Sequence, residues 1–363
     1  MKTFRYVAET AFLLLGTIIG SGFISGREIV TFFGKDILPL SLFASALFFL
    51  TTWQLLAVGG RYGTLEKGNA ALFSKAEKGV NAAVFFCMFA VVSASLAMCD
   101  SMFNSLLGID KRVPAASLVT LALAFVTARR GIDGVKKLNV FLVPVMLTLT
   151  LAFLFGRGKF HFGAPSYPSS SNPAGVVFYV GFNMFLSAAV IARAGSGDKK
   201  SVLLASAVTA VVTVVLILLV YGAVNYEGVN AAGADLPLFY VFSSSPAMSL
   251  AFGAVLYAGA LTTVACSYYP LAESVEKKFG KRWGLTLAAG AFLFSRLGVK
   301  LIVAYVYPAA GVLGALYFAA LFLAEAYKKL KKGNINMRKK NKEKRHGKKE
   351  KKKRSEAFRR GLQ

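Results

Sequence analysis

Residues 16 to 28 read GTIIGSGFISGRE, the stretch whose residue types and spacing best suit holding a small polar solute inside an apolar environment. Gly16, Gly20, Gly22 and Gly26 are interspersed with Ser21 and Ser25 and lead directly into Arg27 and Glu28. Each glycine weakens a helix by about 1 kcal/mol relative to alanine, so the cluster predicts a helix that opens here. Backbone N–H and C=O groups freed in this way cost several kcal/mol each in hydrocarbon unless protein, water or a ligand pairs them. An inner half-helix ending near Ile19 presents free carbonyls, which suit a cation. An outer half-helix starting near Ser25 presents N–H groups and the positive end of its dipole, which favour an anion such as a carboxylate. One gap can therefore hold a zwitterion and a cation together.

Ionisable side chains at membrane depth are costly and are usually functional or paired. Arg27 and Glu28 stand just beyond the gap, and adjacent helical positions point about 100° apart, so the two need not pair with each other. For Glu28 three roles stay open: meeting a cationic amine, carrying a coupling proton, or satisfying a backbone or arginine partner. Asp100 and Asn104 are one turn apart and either face one outward cavity or, for Asp100, lie at the outer interface. A second loosened segment is NPAGVVFYVGFNMFLSAAVIARAG, with Gly181 and Asn183 near its middle. Glycine at such a place either opens the helix or lets two helices pack closely.

The elements that must position these groups are membrane helices. The chain is 56% hydrophobic with a mean hydropathy of +0.57, yet its net charge is +26. Eighteen Lys or Arg against three Glu lie from Lys328 onward, so a basic tail accounts for much of that charge and the rest is a membrane domain. A crossing helix needs roughly 20 apolar residues. Ten segments are expected, at about 6–33, 37–60, 79–107, 114–128, 135–155, 174–193, 200–224, 246–274, 283–296 and 301–326, the fourth and ninth being short. With a cytoplasmic N-terminus the inner loops before the tail carry 17 Lys or Arg and the outer loops 7. The positive-inside rule thus favours an even count with both termini cytoplasmic.

The loosened segments are the first and sixth of ten. Five spans followed by five, interrupted at the first of each set, is the pattern of an inverted repeat whose two broken helices cross near the midplane. The expected fold is therefore an all-α integral membrane protein of about ten transmembrane helices, in two inverted five-helix repeats (about 1–155 and 174–327) with broken first and sixth helices. The expected domains are a transmembrane body at 1–327 and a disordered basic cytoplasmic tail at 328–363.

The run GTIIGSGFISGREIVTFFG resembles the first helix of the YkvI-type bacterial membrane proteins, a branch of the amino acid, polyamine and organocation transporter superfamily with the LeuT-type fold. YVYPAAG at Tyr305 to Gly311 adds to the likeness. The resemblance covers the membrane body and implies a secondary transporter in the bacterial inner membrane, working by alternating access on an amino acid or related amine. It also implies a substrate site between the first, third, sixth and eighth helices. Many relatives couple to sodium, through carbonyls of the first helix and paired hydroxyls on the eighth. Carried over to this chain, those positions are Gly16 and Ile19, with Gly259, Thr262 and Thr263 in GALTTVACS. Oxygen donors of this kind suit a small hard cation, although threonine hydroxyls also bond back to their own helix. Proton-coupled relatives place a lysine on the fifth helix, where this chain has only Lys136 and Lys137 at the cytoplasmic end, so sodium is favoured and protons stay open. The residues expected around the substrate are Gly20, Ser21, Gly22 and Phe23 in the first span and Tyr179, Gly181, Phe182 and Asn183 in the sixth. Coupling or gating falls to Arg27, Glu28 and Asp100.

An alternative on the same fold is a ligand-sensing protein that does not transport, as in germinant receptors. Enzyme chemistry is not expected: His161 and His346 are the only histidines, in an outer loop and the tail, and the acids show no paired spacing. No resident cofactor is expected beyond a sodium ion. Cys87, Cys99 and Cys266 sit in apolar runs without metal-ligand spacing. The tail, a lysine-rich block without apolar periodicity, is expected to be a topogenic anchor drawn to anionic lipid. It lacks the aromatic platform or recognition fold that specific nucleic-acid binding needs. The sequence leaves the oligomeric state unknown.

Overall fold

The computed structural model describes residues 2–34, 36–108, 110, 113–167, 173–234, 236–298, 306–328 and 330. The tail from residue 331 onward, with the lipid contact expected of it, lies outside the described residues. Compactness divides the chain into a unit at Met1–Phe318 and a second at Ala319–Gln363.

The described residues are all helical apart from their connections. The first span is three pieces, α1 (Lys2–Ile18), α2 (Ser21–Ile24) and α3 (Arg27–Phe32). Then follow α4 (Ile37–Tyr62), α5 (Leu65–Phe73), α6 (Glu77–Leu107), α7 (Ala115–Arg129) and α8 (Gly131–Arg157). The second half holds α9 (Pro173–Arg193), α10 (Lys199–Glu227), the short α11 (Val229–Gly233) and α12 (Pro237–Phe242), α13 (Pro246–Phe279) and α14 (Arg282–Ser295). A last helix, α15, runs Val306–Lys328. Among the described residues seven helices are long and apolar enough to cross a membrane, including α4, α8, α9, α10, α13 and α15; α7 is a shorter apolar helix.

Local chemistry sets the ends. Thr64, Asp198 and Ser245 accept hydrogen bonds from Lys67 N, Ser201 N and Met248 N, each 3.3 Å, capping the starts of α5, α10 and α13. The bond with Ser201 holds the Asp198 carboxyl below its usual range. Gly108 and Gly158, both left-handed, close α6 and α8.

The centre of the first unit is α13, packed on α6, α7 and α8, while α4 packs on α9 and α10. The first span threads between these groups and touches α8, α10, α13 and α9. Every residue of α9 from Tyr179 to Ala192 is buried, as expected for a helix that is apolar all round. Outward faces carry residues such as Leu38, Phe141, Leu285 and Leu293, suited to lipid.

One expectation fails. The sixth span, α9, is an uninterrupted α-helix, and Asn183 Nδ2 donates to Tyr179 O at 3.1 Å within it. Gly181 serves packing instead: a Cβ there would stand 2.7 Å from Ala315 N and 2.8 Å from Gly311 O of α15. The absent side chain lets two backbones touch, which is the small-residue rule of membrane helix crossings.

Candidate solute and cation site

The first span opens where the glycines lie. The α1 ladder closes with Ile19 N donating to Leu15 O at 2.6 Å, so the carbonyls after Leu15 belong to a helix end and lack the usual next turn. Ile24 N donates to Gly20 O at 3.0 Å to form the single turn of α2. A second interruption follows at Gly26, whose φ of 79° is left-handed and suits glycine. The chain therefore breaks twice, at Ile19–Gly20 and at Ser25–Gly26, instead of passing from one half-helix to another.

That detail revises the electrostatics. Ser25 Oγ accepts from Arg27 N at 3.2 Å and donates to Gly22 O at 2.7 Å. Ser25 O accepts from Leu238 N of α12 at 2.7 Å. The groups expected to bind an anion near Ser25 are thus largely engaged by the protein itself.

Gly20 lies against α13: a Cβ on it would strike Thr263 Oγ1. A Cβ on Gly22 would strike the Glu28 carboxylate. These approaches bring backbone, hydroxyl and carboxylate together around a small cavity with about 20 Å³ open to the centre of a water molecule, room for about one water-sized group. Thr17, Gly20, Gly22 and Glu28 wall it from the first span, Phe182, Asn183 and Ser187 from α9, and Thr263 and Ser267 from α13. Ser95 of α6 and Tyr307 of α15 complete its polar lining.

Glu28 is 7% exposed, its Oε2 has no hydrogen-bond partner among the described residues, and its carboxylate neighbours the Asn183 side chain. Arg27 turns the other way, its Nη1 donating to Ala232 O at 3.2 Å and Ala234 O at 3.5 Å. The adjacent charges diverge, as helical geometry requires.

The expected site residues sort into two groups. Gly20, Gly22, Glu28, Phe182, Asn183 and Thr263 line the cavity. Phe23 is buried but does not line it. The Tyr179 ring lies behind it, among Phe32, Phe33 and Phe48 at centroid distances of 5.4, 5.3 and 5.9 Å. Gly16 faces Asn139 of α8, and the Ser21 side chain lies outside the described residues. Thr262 and Thr263 both donate to Gly259 O at 2.9 Å. This is the back-bonding alternative, yet each hydroxyl keeps lone pairs that can face a cation.

Asp100 does not join the cavity. Its Oδ1 accepts from Ser117 N at 2.8 Å, capping α7, and its Oδ2 pairs with Arg296. Its burial, 3% exposed, is satisfied by these partners without any solute.

Thr17, Ser95, Ser187, Ser267 and Tyr307 were not anticipated. Two of them carried a signal: Ser187 follows Asn183, and Ser267 follows Thr263, by one helical turn each. Tyr307 falls inside the YVYPAAG run that carried the family likeness.

Comparison with known proteins agrees with this architecture. No family model matches the chain. The uncharacterized membrane protein YkvI of Bacillus subtilis (strain 168) is 23% identical over 339 residues, covering 88% of this chain and 96% of that one. Among solved structures, MhsT in complex with L-phenylalanine shares 15% identity at a TM-score of 0.59, covering 88% of this chain and 90% of that one. The fold is the LeuT-type transporter fold. A substrate-bound, outward-open Na+-coupled sialic acid symporter gives 14% identity and a TM-score of 0.56, covering 87% of this chain and 74% of that one. Mhp1, a nucleobase-cation-symport-1 family transporter in a closed conformation with bromovinylhydantoin bound, gives 16% and 0.51, covering 86% and 78%.

Proposed function

We propose that this chain is a secondary active transporter of a small solute, an amino acid or related amine, moved by alternating access and coupled to sodium or protons. The observation that carries the reading is the doubly interrupted first span, whose Gly20 and Gly22 face a small polar cavity between helices of both halves of the chain. A space for about one water-sized group admits a solute only after the surrounding helices separate, so binding and conformational change are linked. Similarity to solute-bound closed and outward-open symporters supports that cycle.

The finer architecture belongs to the same proposal. The seven long helices, with the broken first span, α7 and α14, make ten spans, arranged as inverted repeats at about 1–155 and 174–327. The first is broken and the sixth is whole. The transport domain is 1–327, in the cell's inner membrane with both termini cytoplasmic, and the basic tail 328–363 rests on anionic lipid.

For sodium, Ile19 lies at the end of α1 and Thr263 at the point of closest approach to Gly20. With Gly16, Gly259 and Thr262 they form an all-oxygen donor set of the kind a hard monovalent cation takes. Gly259 O already accepts two hydroxyls, so a bound cation would be met chiefly by the hydroxyl lone pairs and the α1 carbonyls.

The test is uptake of radiolabelled amino acids and amines into proteoliposomes with and without an imposed sodium or proton gradient, together with counterflow. Gradient-dependent accumulation of one solute is expected. Ligand binding with neither uptake nor counterflow would establish the sensing alternative.

A further inference from the structure

Among the described residues, the cavity lining has one carboxylate and no base. Glu28 is the only Asp or Glu of these lining residues, and no Lys, Arg or His is present among them. The nearest arginine in sequence is committed to the carbonyls of Ala232 and Ala234. Oε2 of Glu28 is buried without a partner, and Asn183 is the side chain beside the carboxylate. An uncompensated buried charge costs several kcal/mol, and at membrane depth such a group marks a functional site with a partner to be named. No cation among the described residues of the cavity balances it, so in its ionised form the counter-charge comes from outside the chain.

The surroundings restrict its chemistry. Negatively charged solute groups meet like charge at this end of the cavity, whereas a cation meets a carboxylate and an aromatic wall. Phe182 and Tyr307, both in the lining, pack with ring centroids 4.2 Å apart. Aromatic faces attract organic cations, more strongly when water is excluded. Hydroxyls of Thr17, Ser95 and Ser187 in the same wall accept N–H donors.

We propose that Glu28 is the counter-charge for a cationic ammonium group of the solute, so that the solute carries a protonated amine into the cavity and closes the charge balance there. This rests on the transporter reading for the word solute, but the binding it asserts is measurable without transport.

The experiment uses the purified full chain in detergent, with potassium balancing ionic strength. Thermal unfolding and calorimetric titration are followed with ethylamine, butylamine and 1,4-diaminobutane, with the alcohols ethanol and 1-butanol as uncharged counterparts, and with sodium alone. The amines stabilise the wild-type protein and the alcohols do not, a contrast that needs no variant. Glu28→Gln weakens amine binding about 30-fold or more, the lower bound of about 2 kcal/mol for removing one partner of a buried charge pair, converted at 1.4 kcal/mol per tenfold. Glu28→Asp, which keeps the charge, retains part of the binding even if the glutamine variant does not fold. Phe182→Leu lowers amine affinity and leaves any sodium effect unchanged. Equal response to amines and alcohols, no amine binding by the wild type, or amine binding unchanged in Glu28→Gln overturns the proposal. A response to sodium alone that Glu28→Gln abolishes, with none to amines, assigns the carboxylate to the inorganic ion and overturns it too. Amine binding without any flux in proteoliposomes leaves this proposal standing and removes the transport reading.

Discussion

Gly20→Ala is the most informative single change, because its cost traces to one atom. The added methyl lands on Thr263 Oγ1, while Thr263 Cβ and Cγ2 stay at 3.5 and 3.7 Å, ordinary contact distances. The hydroxyl cannot step aside freely: it is bonded to Gly259 O at 2.9 Å, and a β-branched side chain on a helix has few rotamers. Relief requires breaking that bond or shifting α13, and overpacking of this kind costs about 1–3 kcal/mol. Thr263→Ala removes the obstructing oxygen along with one intramembrane hydrogen bond, worth about 0.6 kcal/mol on average. Were the two sites independent, the double variant would lose the sum, about 2–4 kcal/mol. The contact predicts instead that it loses little more than Thr263→Ala alone, a favourable coupling of about 1–3 kcal/mol. Thr263→Ser keeps the oxygen and gives no rescue. Unfolding equilibria in mixed micelles, followed by helical circular dichroism, measure all four corners. A double variant as unstable as the sum of the singles would refute the close approach of the first break to α13, and the donor set built on it.

Two further predictions follow from packing and charge. Gly181→Ala meets backbone atoms of α15, which have no side-chain rotation to offer; it should cost about 1–3 kcal/mol or more in the same micelle assay, with amine affinity unchanged in the folded fraction. A variant of normal stability that has lost binding would return Gly181 to the solute site. Arg193, with a 6% exposed side chain, pairs with Glu66 of α5 at 2.9 Å and with Glu273 of α13. Arg193→Met leaves Glu66 without its cation and Glu273 with the exposed Lys277 alone and should cost about 3–5 kcal/mol, whereas Lys277→Met, removing a cation with a 68% exposed side chain from the same Glu273, should cost at most about 1 kcal/mol by urea or micelle unfolding.

The break in the first span was legible because its signal is local: glycines at 16, 20, 22 and 26 weaken one helix whatever surrounds it. The second break at Ser25–Gly26 was less legible, since it depends on Leu238 reaching Ser25 O from far along the chain. Gly181 shows the limit most clearly. A glycine that opens a helix and one that admits a neighbouring backbone are the same letter, and only the position of Gly311 and Ala315 distinguishes them. The partner of Asp100 was hidden for a like reason, because Arg296 is 196 residues away. Glu28 was singled out by charge and depth alone. That no described residue of its cavity is a base emerges only when Arg27 is seen turned toward Ala232. Polar pairs at one-turn spacing, Asn183 with Ser187 and Thr263 with Ser267, were readable in principle but look like ordinary back-bonding residues until two helices bring them face to face.

The tie from Leu238 N to Ser25 O, with the grip of Arg27 on the carbonyls of Ala232 and Ala234, fastens the interrupted segment to the connection between α10 and α13. That connection ends at Pro246, where the helix bearing Thr263 begins. The strand of chain that carries Glu28 and the rod that carries Thr263 therefore share a mechanical coupling outside the cavity they both wall. Pulling on the 229–242 segment, with an antibody fragment or a crosslink, would act on the chamber like a handle on a hinged door.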